Sequence, residues 1–235
     1  MLKIQNLTKI YKGGVKAVDN LTLSVKSGEI YGFIGHNGAG KSTTIKAIVG
    51  ALDFNGGQIY IDGLSIVERS IEAKSRIAFV PDNPDIYDYL TGIQYINFIC
   101  DIFSVGSERT ALIKEYAERF GLEKNLGDLI SSYSHGMKQK LVLISALVHK
   151  PRLLVLDEPF VGLDPVSSHE LKKIMRELCD NGVAIFFSTH VLEVAEKLCD
   201  RVGIIKGGRL VAEGTMQEIA GDKSLESLFL EIANA

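Results

Sequence analysis

Along the first quarter of the chain, apolar and polar positions alternate with period two. Leu2–Leu7 and Val18–Val25 read as strands and Gln58–Asp62 as a shorter one, with Lys12-Gly13-Gly14 and Lys26-Ser27-Gly28 as turns. Glu29–Ile34 is a short apolar strand, and Thr43–Leu52 beyond it has helical periodicity. From Pro84 to about Lys150 the spacing changes, predicting helices at Ile93–Phe103, Ser107–Phe120 and Lys138–Val148. Strands then return between helices: Leu153–Leu156, the amphipathic helix Ser167–Asp180, Val183–Ser188, the helix Val191–Cys199, and Val202–Lys206 before the turn Gly207-Gly208. Such alternation implies a largely parallel sheet. Leu225, Leu228, Phe229 and Ile232 have helical spacing, so Ser224–Ile232 should be a short packing helix. The pattern predicts a single α/β domain over 1–235, with a β-rich N-terminal layer and a mostly helical insertion at about 84–148.

Composition narrows the partners. Hydrophobic residues make up 46% and charged residues 23%, enough apolar material for a sizeable core. Lys and Arg total 26 against 29 Asp and Glu, a formal charge of −3, which argues against gripping nucleic acid through a strongly basic face. Cys100, Cys179 and Cys199 are odd in number and far apart, so neither a disulfide framework nor a zinc site is expected. The opening residues alternate like a strand and lack the apolar core of a signal peptide. Apolar runs such as Leu141–Val148 fall short of the roughly 20 residues that span a bilayer. The expectation is a soluble, cytosolic chain that reaches a membrane only through a partner.

The chemistry begins at Gly35-His36-Asn37-Gly38-Ala39-Gly40-Lys41-Ser42, a complete G-x-x-x-x-G-K-[ST] between a short apolar strand and a helix. The glycines let successive backbone N–H groups turn inward around phosphate oxygens, and the following helix presents its positive end. Lys41 would reach the β- and γ-phosphates and Ser42 would ligate Mg²⁺. Leu153-Leu154-Val155-Leu156-Asp157-Glu158 supplies the second half of such a site: a buried strand ending in two carboxylates. Asp157 would bind the metal, and Glu158 would serve as general base toward the attacking water.

Further segments give the chain its resemblance to the ABC ATPases. Ser134-His135-Gly136-Met137-Lys138-Gln139 resembles the family's signature, usually Leu-Ser-Gly-Gly-Gln; Val161-Gly162-Leu163-Asp164 resembles the D-loop; Ser188-Thr189-His190 resembles the switch histidine; and Tyr11 matches the aromatic that stacks on adenine. These stand in the family's order over nearly the whole chain. The resemblance implies an N-terminal antiparallel layer, a RecA-like core and a helical subdomain. It implies two ATP-binding subunits, as a homodimer or as a heterodimer with a similar chain, head to tail around two ATP molecules. One contributes Gly35–Thr43, Asp157, Glu158 and His190 to each site, and the other contributes Ser134 and Gly136. Asp164 would link the two sites, and His190 would sense the γ-phosphate. The variant signature and the Leu228-Phe229-Leu230-Glu231 ending are similar to those of ATP-binding subunits of ABC-2-type bacterial exporters. Their partner is a separate integral membrane permease, here expected to dock near residues 82–105, where Tyr87 and Tyr89 lie. The chain would then sit peripherally on the inner face of the cell membrane.

Four positions depart from the family's form. Tyr133 replaces Leu, His135 replaces the first signature glycine, with a solvent-facing side chain expected, and Met137 replaces Gln. Asp82 stands where the Q-loop glutamine belongs and would reach Mg²⁺ through water. His36 is expected to be exposed, and His149 and His169 to be surface or helix-face residues and not ligands. A single-domain ABC ATPase working on a soluble scaffold or ribosome is the alternative. A GTPase is excluded by the absence of Asn-Lys-x-Asp, and a kinase would need neither the signature nor the switch histidine.

Overall fold

The alternating N-terminal residues pair as antiparallel strands β1 (Leu2–Ile10) and β2 (Lys16–Val25) in the computed structural model, which describes residues 1–221 and 223–234. The chain then leaves this layer through β3 (Ile30–Ile34) and α1 (Lys41–Ile48). It returns with β4 (Gly56–Ile61) and β5 (Leu64–Ser65) to complete a four-stranded sheet in the order β2-β1-β4-β5. After α2 (Ser70–Lys74) and β6 (Ile77–Val80) come three helices, α3 (Gly92–Ile102), α4 (Arg109–Arg119) and α5 (His135–Val148). β7 (Leu153–Asp157), α6 (Pro165–Asp180), β8 (Ala184–Thr189), α7 (Leu192–Leu198) and β9 (Arg201–Lys206) follow. β10 (Arg209–Gly214), α8 (Met216–Ala220) and α9 (Leu225–Asn234) end the described chain.

The second sheet has six strands in the order β10-β9-β3-β8-β7-β6, parallel except for β10. Its central strands β3, β7 and β8 are buried along their whole length, as strands covered on both faces must be. Alternation then sorts their side chains between two cores. Tyr31, Phe33, Leu153, Val155 and Phe186 join Leu2, Ile4 and Val18 of the antiparallel sheet. Ile30, Leu154, Leu156, Ile185 and Phe187 face α3, α4, α5 and α6. The apolar positions of α9 pack with Ile34, Val202 and Ile204, as their spacing predicted.

Arg119 on α4 reaches α6 with a fork, contacting Glu170 at 2.6 Å and Glu177 at 2.7 and 3.0 Å. The turn between β9 and β10 is stitched between the layers, Gly208 accepting from the Asp19 N–H and donating to the Ala39 carbonyl. Register does the rest. Ile34 lies opposite Thr189, and Asp157 opposite Ser188. The carboxyl ends of three neighbouring strands therefore deliver the phosphate loop, the paired carboxylates and the Ser188-Thr189-His190 segment to one edge, where parallel α/β sheets bind ligands.

Candidate active site

The loop from Gly35 to Ser42 turns back on itself at that edge, with the Ala39 N–H donating to the His36 carbonyl at 3.1 Å. Gly40 holds φ +113°, and a Cβ there would fall 2.5 Å from the Ala17 carbonyl oxygen, so no other residue fits. Lys41 is 6% exposed. Its ammonium donates to the Gly35 carbonyl at 2.7 Å and stands 3.6 Å from Glu158 Oε1. It also donates to the His36 carbonyl at 3.4 Å, and a buried cation held by two carbonyls and a carboxylate is poised for the oxygens of a phosphate chain.

Asp157 is buried, and its carboxylate accepts a hydrogen bond from the Ser188 hydroxyl. Burial raises its carboxyl above the usual aspartate range; hydrogen bonds from Ser188 and Ser42 oppose the rise, and the charges of Asp82 and Glu158 add to it. An acidic cluster at strain with itself, beside the Ser42 hydroxyl, is a hard-oxygen donor set suited to a small divalent cation. Among the described residues no group of three or more His, Cys, Asp and Glu could hold a metal alone. The remaining ligands of such an ion would be phosphate oxygens and water.

Glu158 adopts φ +48°, a left-handed conformation that costs a side-chain-bearing residue free energy. It is pinned there by its own N–H, which donates to Ser188 Oγ at 3.1 Å. The turn aims its carboxylate across to His190, whose Nδ1 is 3.0 Å from Oε1 and whose backbone N–H donates to Oε2 at 3.4 Å. A cavity of about 200 Å³ is lined by residues 36–38 and 40–43 of the loop with Ala17, Asp82 and Glu158. His36 and Asn37 are exposed on its rim, while Ala39 is buried beneath. Tyr11 follows β1 and is exposed; its hydroxyl is 3.4 Å from Thr43 Oγ1, which sets its ring beside the loop.

Ser134, Gly136 and Asp164 do not line this cavity. Ser134 caps α5, its hydroxyl accepting from the Met137 N–H at 3.3 Å. Asp164 caps α6 and pairs with Lys140 at 2.7 Å. The Lys140 contact first, then Ser167, holds its carboxyl well below the usual range. Within its own chain Asp164 is therefore a structural group. Tyr133 turns inward to donate to the Asn125 carbonyl at 2.5 Å. His149 closes the C-terminal end of α5 and stacks on Phe103 at 3.8 Å, and burial pulls its imidazole down to about 4. Ser188 and Lys140 were missed in the sequence. Ser188 was recoverable from its place directly before Thr189-His190 on a strand beside β7, whereas Lys140 carried no signal.

Fold and site together define a P-loop nucleoside triphosphatase with two consecutive carboxylates, Asp157 and Glu158, at the end of β7. A family model described as "ABC transporter" matches residues 18–161. The Bacitracin transport ATP-binding protein BcrA of Bacillus licheniformis is 39% identical over 91% of this chain and 69% of its own length. The Linearmycin resistance ATP-binding protein LnrL of Bacillus subtilis is 36% identical over 93% of this chain and 70% of its own. A bacterial ABC transporter cassette solved as a dimer superposes with a TM-score of 0.84 at 25% identity, over 92% of this chain and 99% of that one. The chain belongs to the ABC transporter ATP-binding family and is an ATP-binding, ATP-hydrolysing subunit.

Proposed function

We propose that this subunit closes head to tail with a second copy or a similar ATP-binding chain around two MgATP molecules and thereby drives a separate membrane permease in the export direction. The observation that carries the reading is the division of the site. Lys41 and Glu158 line one cavity, with His190 paired to Glu158 and the adjacent Asp157 held by Ser188 behind it, whereas the exposed Ser134 and the half-buried Gly136 have no contact with this group. In a head-to-tail pair the Ser134 hydroxyl and the N-terminus of α5 meet the γ-phosphate held by the other chain.

Mg²⁺, held by Ser42 and Asp157 with Asp82 through water, would neutralise charge on the β- and γ-phosphates. Lys41 exchanges the Gly35 carbonyl for phosphate oxygens. Glu158 takes the proton of the attacking water, with its carboxylate oriented by His190. His190 reads the presence of the γ-phosphate, so its loss releases the partner turn and opens the pair. The stacking surface for adenine is the ring of Tyr11.

Among the described residues no helix is long and apolar enough to cross a membrane. The permease would dock near residues 82–105, at the start of the helical part at about 84–148, which acts as a subdomain. There Tyr87, Tyr89, Phe98 and Ile102 are exposed, and a cavity of about 310 Å³ lies between α3, α5 and β6. The chain would be peripheral on the inner face of the membrane. Export is supported by the exporter-like signature and by relatives named for bacitracin transport and linearmycin resistance. Affinity capture of tagged Glu158→Gln protein from native membranes solubilised with MgATP tests the proposal. A stoichiometric polytopic membrane protein is expected; a soluble scaffold or ribosome in its place would overturn the choice of partner.

A further inference from the structure

The signature turn and the D-loop of one chain are packed glycine to glycine. A Cβ on Gly136 would fall 2.7 Å from the Gly162 carbonyl oxygen. A Cβ on Gly162, where φ is +81°, would fall 2.6 Å from Cδ2 and 3.0 Å from Nε2 of His135. The imidazole is exposed to solvent on its outer side, as expected, but it also lies against the Gly162 backbone. The usual glycine at this place of the signature has no side chain with which to make that contact. A second tie runs parallel to it, the ion pair of Lys140 on α5 with Asp164.

The loop so held begins at the candidate base. Glu158 is fixed at one end by Ser188, its carbonyl accepts from the Val161 N–H at 3.1 Å, and Asp164 is anchored at the other end by the Ser167 N–H at 2.9 Å. Between these points Gly162 can adopt many conformations, and His135 is what presses on it from α5. Ser134 and Gly136 flank His135 directly. The residue thus touches the element that carries the base for one nucleotide, and it belongs to the turn that serves the other.

We infer that His135 is a positioning residue that locks the Glu158–Asp164 loop to the signature turn of the same chain. Engagement of Ser134 and Gly136 by the partner's γ-phosphate then sets the placement of this chain's own Glu158. The inference rests on the head-to-tail reading above. The contact is one of packing through a ring carbon, so a phenylalanine ring reproduces it and a glycine abolishes it. Because the side chain is largely exposed, its removal costs little stability.

The test compares MgATP hydrolysis by the full chain and its His135→Gly and His135→Phe variants, and dimerisation of Glu158→Gln with MgATP by sedimentation. His135→Gly should lower kcat roughly fivefold, the effect of losing one coupling contact. Its KM should stay within about twofold, its Tm within about 2 °C, and its Hill coefficient for MgATP should fall from above one toward one. His135→Phe should keep kcat within about twofold of the parent. Parental turnover by His135→Gly, an equal loss in His135→Phe, or a loss that merely follows a drop in Tm would overturn the role of His135 alone, provided Glu158→Gln dimerises. A Glu158→Gln protein that stays monomeric with MgATP would overturn the head-to-tail reading and the role of His135 with it.

Discussion

The phosphate cradle and the signature turn are built on opposite plans. In the cradle most charged groups are already tied to one another or to a neighbouring strand end: Lys41 to Glu158, Asp157 to Ser188, Glu158 to His190. These groups are placed by the register of three buried parallel strands, so their relative positions are as rigid as the core. The signature turn has no such convergence. Ser134 serves only as a helix cap, and Tyr133 is anchored inward. What faces outward is a hydroxyl, backbone N–H groups and a helix end. On the head-to-tail proposal, the contrast separates a half-site complete within its chain from one made to be used by another.

That comparison can be broken from either side. Glu158→Gln should lower kcat by roughly 10²–10⁴-fold, the usual contribution of a positioned base, while leaving ATP binding intact in a nucleotide-displacement assay. Parental turnover would move the base elsewhere. Lys41→Ala should cost roughly 10²–10³-fold in turnover, as for loss of one preorganised donor, and it should weaken nucleotide binding by the isolated chain as well. Tyr11→Ala should weaken ATP affinity by about 1–3 kcal/mol if its ring stacks on the base, with affinity for bare triphosphate unchanged. Equal affinity of the parent for ATP and triphosphate would count against the stack.

On the other side, Ser134→Ala should lower stability by about 1 kcal/mol through the lost cap, read as a drop in Tm. It should slow turnover without changing ATP affinity of the monomer. The smallest effect is absent at pH 7. Burial holds folded His149 neutral down to about 4 against an ordinary 6.5. Between those values the unfolded chain takes up a proton that the folded chain does not, so stability falls as pH drops through the window. His149→Phe should flatten the Tm–pH curve between 6.5 and 4; an unchanged slope would show that another group titrates there.

The two regions also differed in how legible they were. The cradle could be read because its signals are local: a glycine spacing, a run of apolar residues and two acids. The three-strand edge followed from the alternation of strands and helices after residue 150. Boundaries shifted where backbone chemistry overrode periodicity. α1 begins at Lys41, two residues before the predicted start, because the loop itself closes its first turn, and it ends at Ile48, capped by Val49 before Gly50 in a left-handed conformation. β10, α2 and α8 are short and half-exposed, and no apolar pattern announced them. The left-handed turn of Glu158 was equally silent, since it is enforced by Ser188 from a strand 30 residues away. So were the Lys140 pairing of Asp164 and the His135 contact, both made between elements distant in sequence. What His135 does could be framed from the motif only as a departure, never as a contact.

The most direct test of a divided site is complementation between two disabled chains. Lys41→Ala empties the cradle and leaves the signature turn intact. Ser134→Asp keeps a good helix cap but sets a negative charge against the γ-phosphate. Each alone should be inactive. Mixed in equal amounts, the intact cradle of one should meet the intact signature turn of the other and restore a fraction of parental MgATP hydrolysis. A mixture as inactive as its parts although the two chains associate, or full activity of Ser134→Asp by itself, would contradict the account.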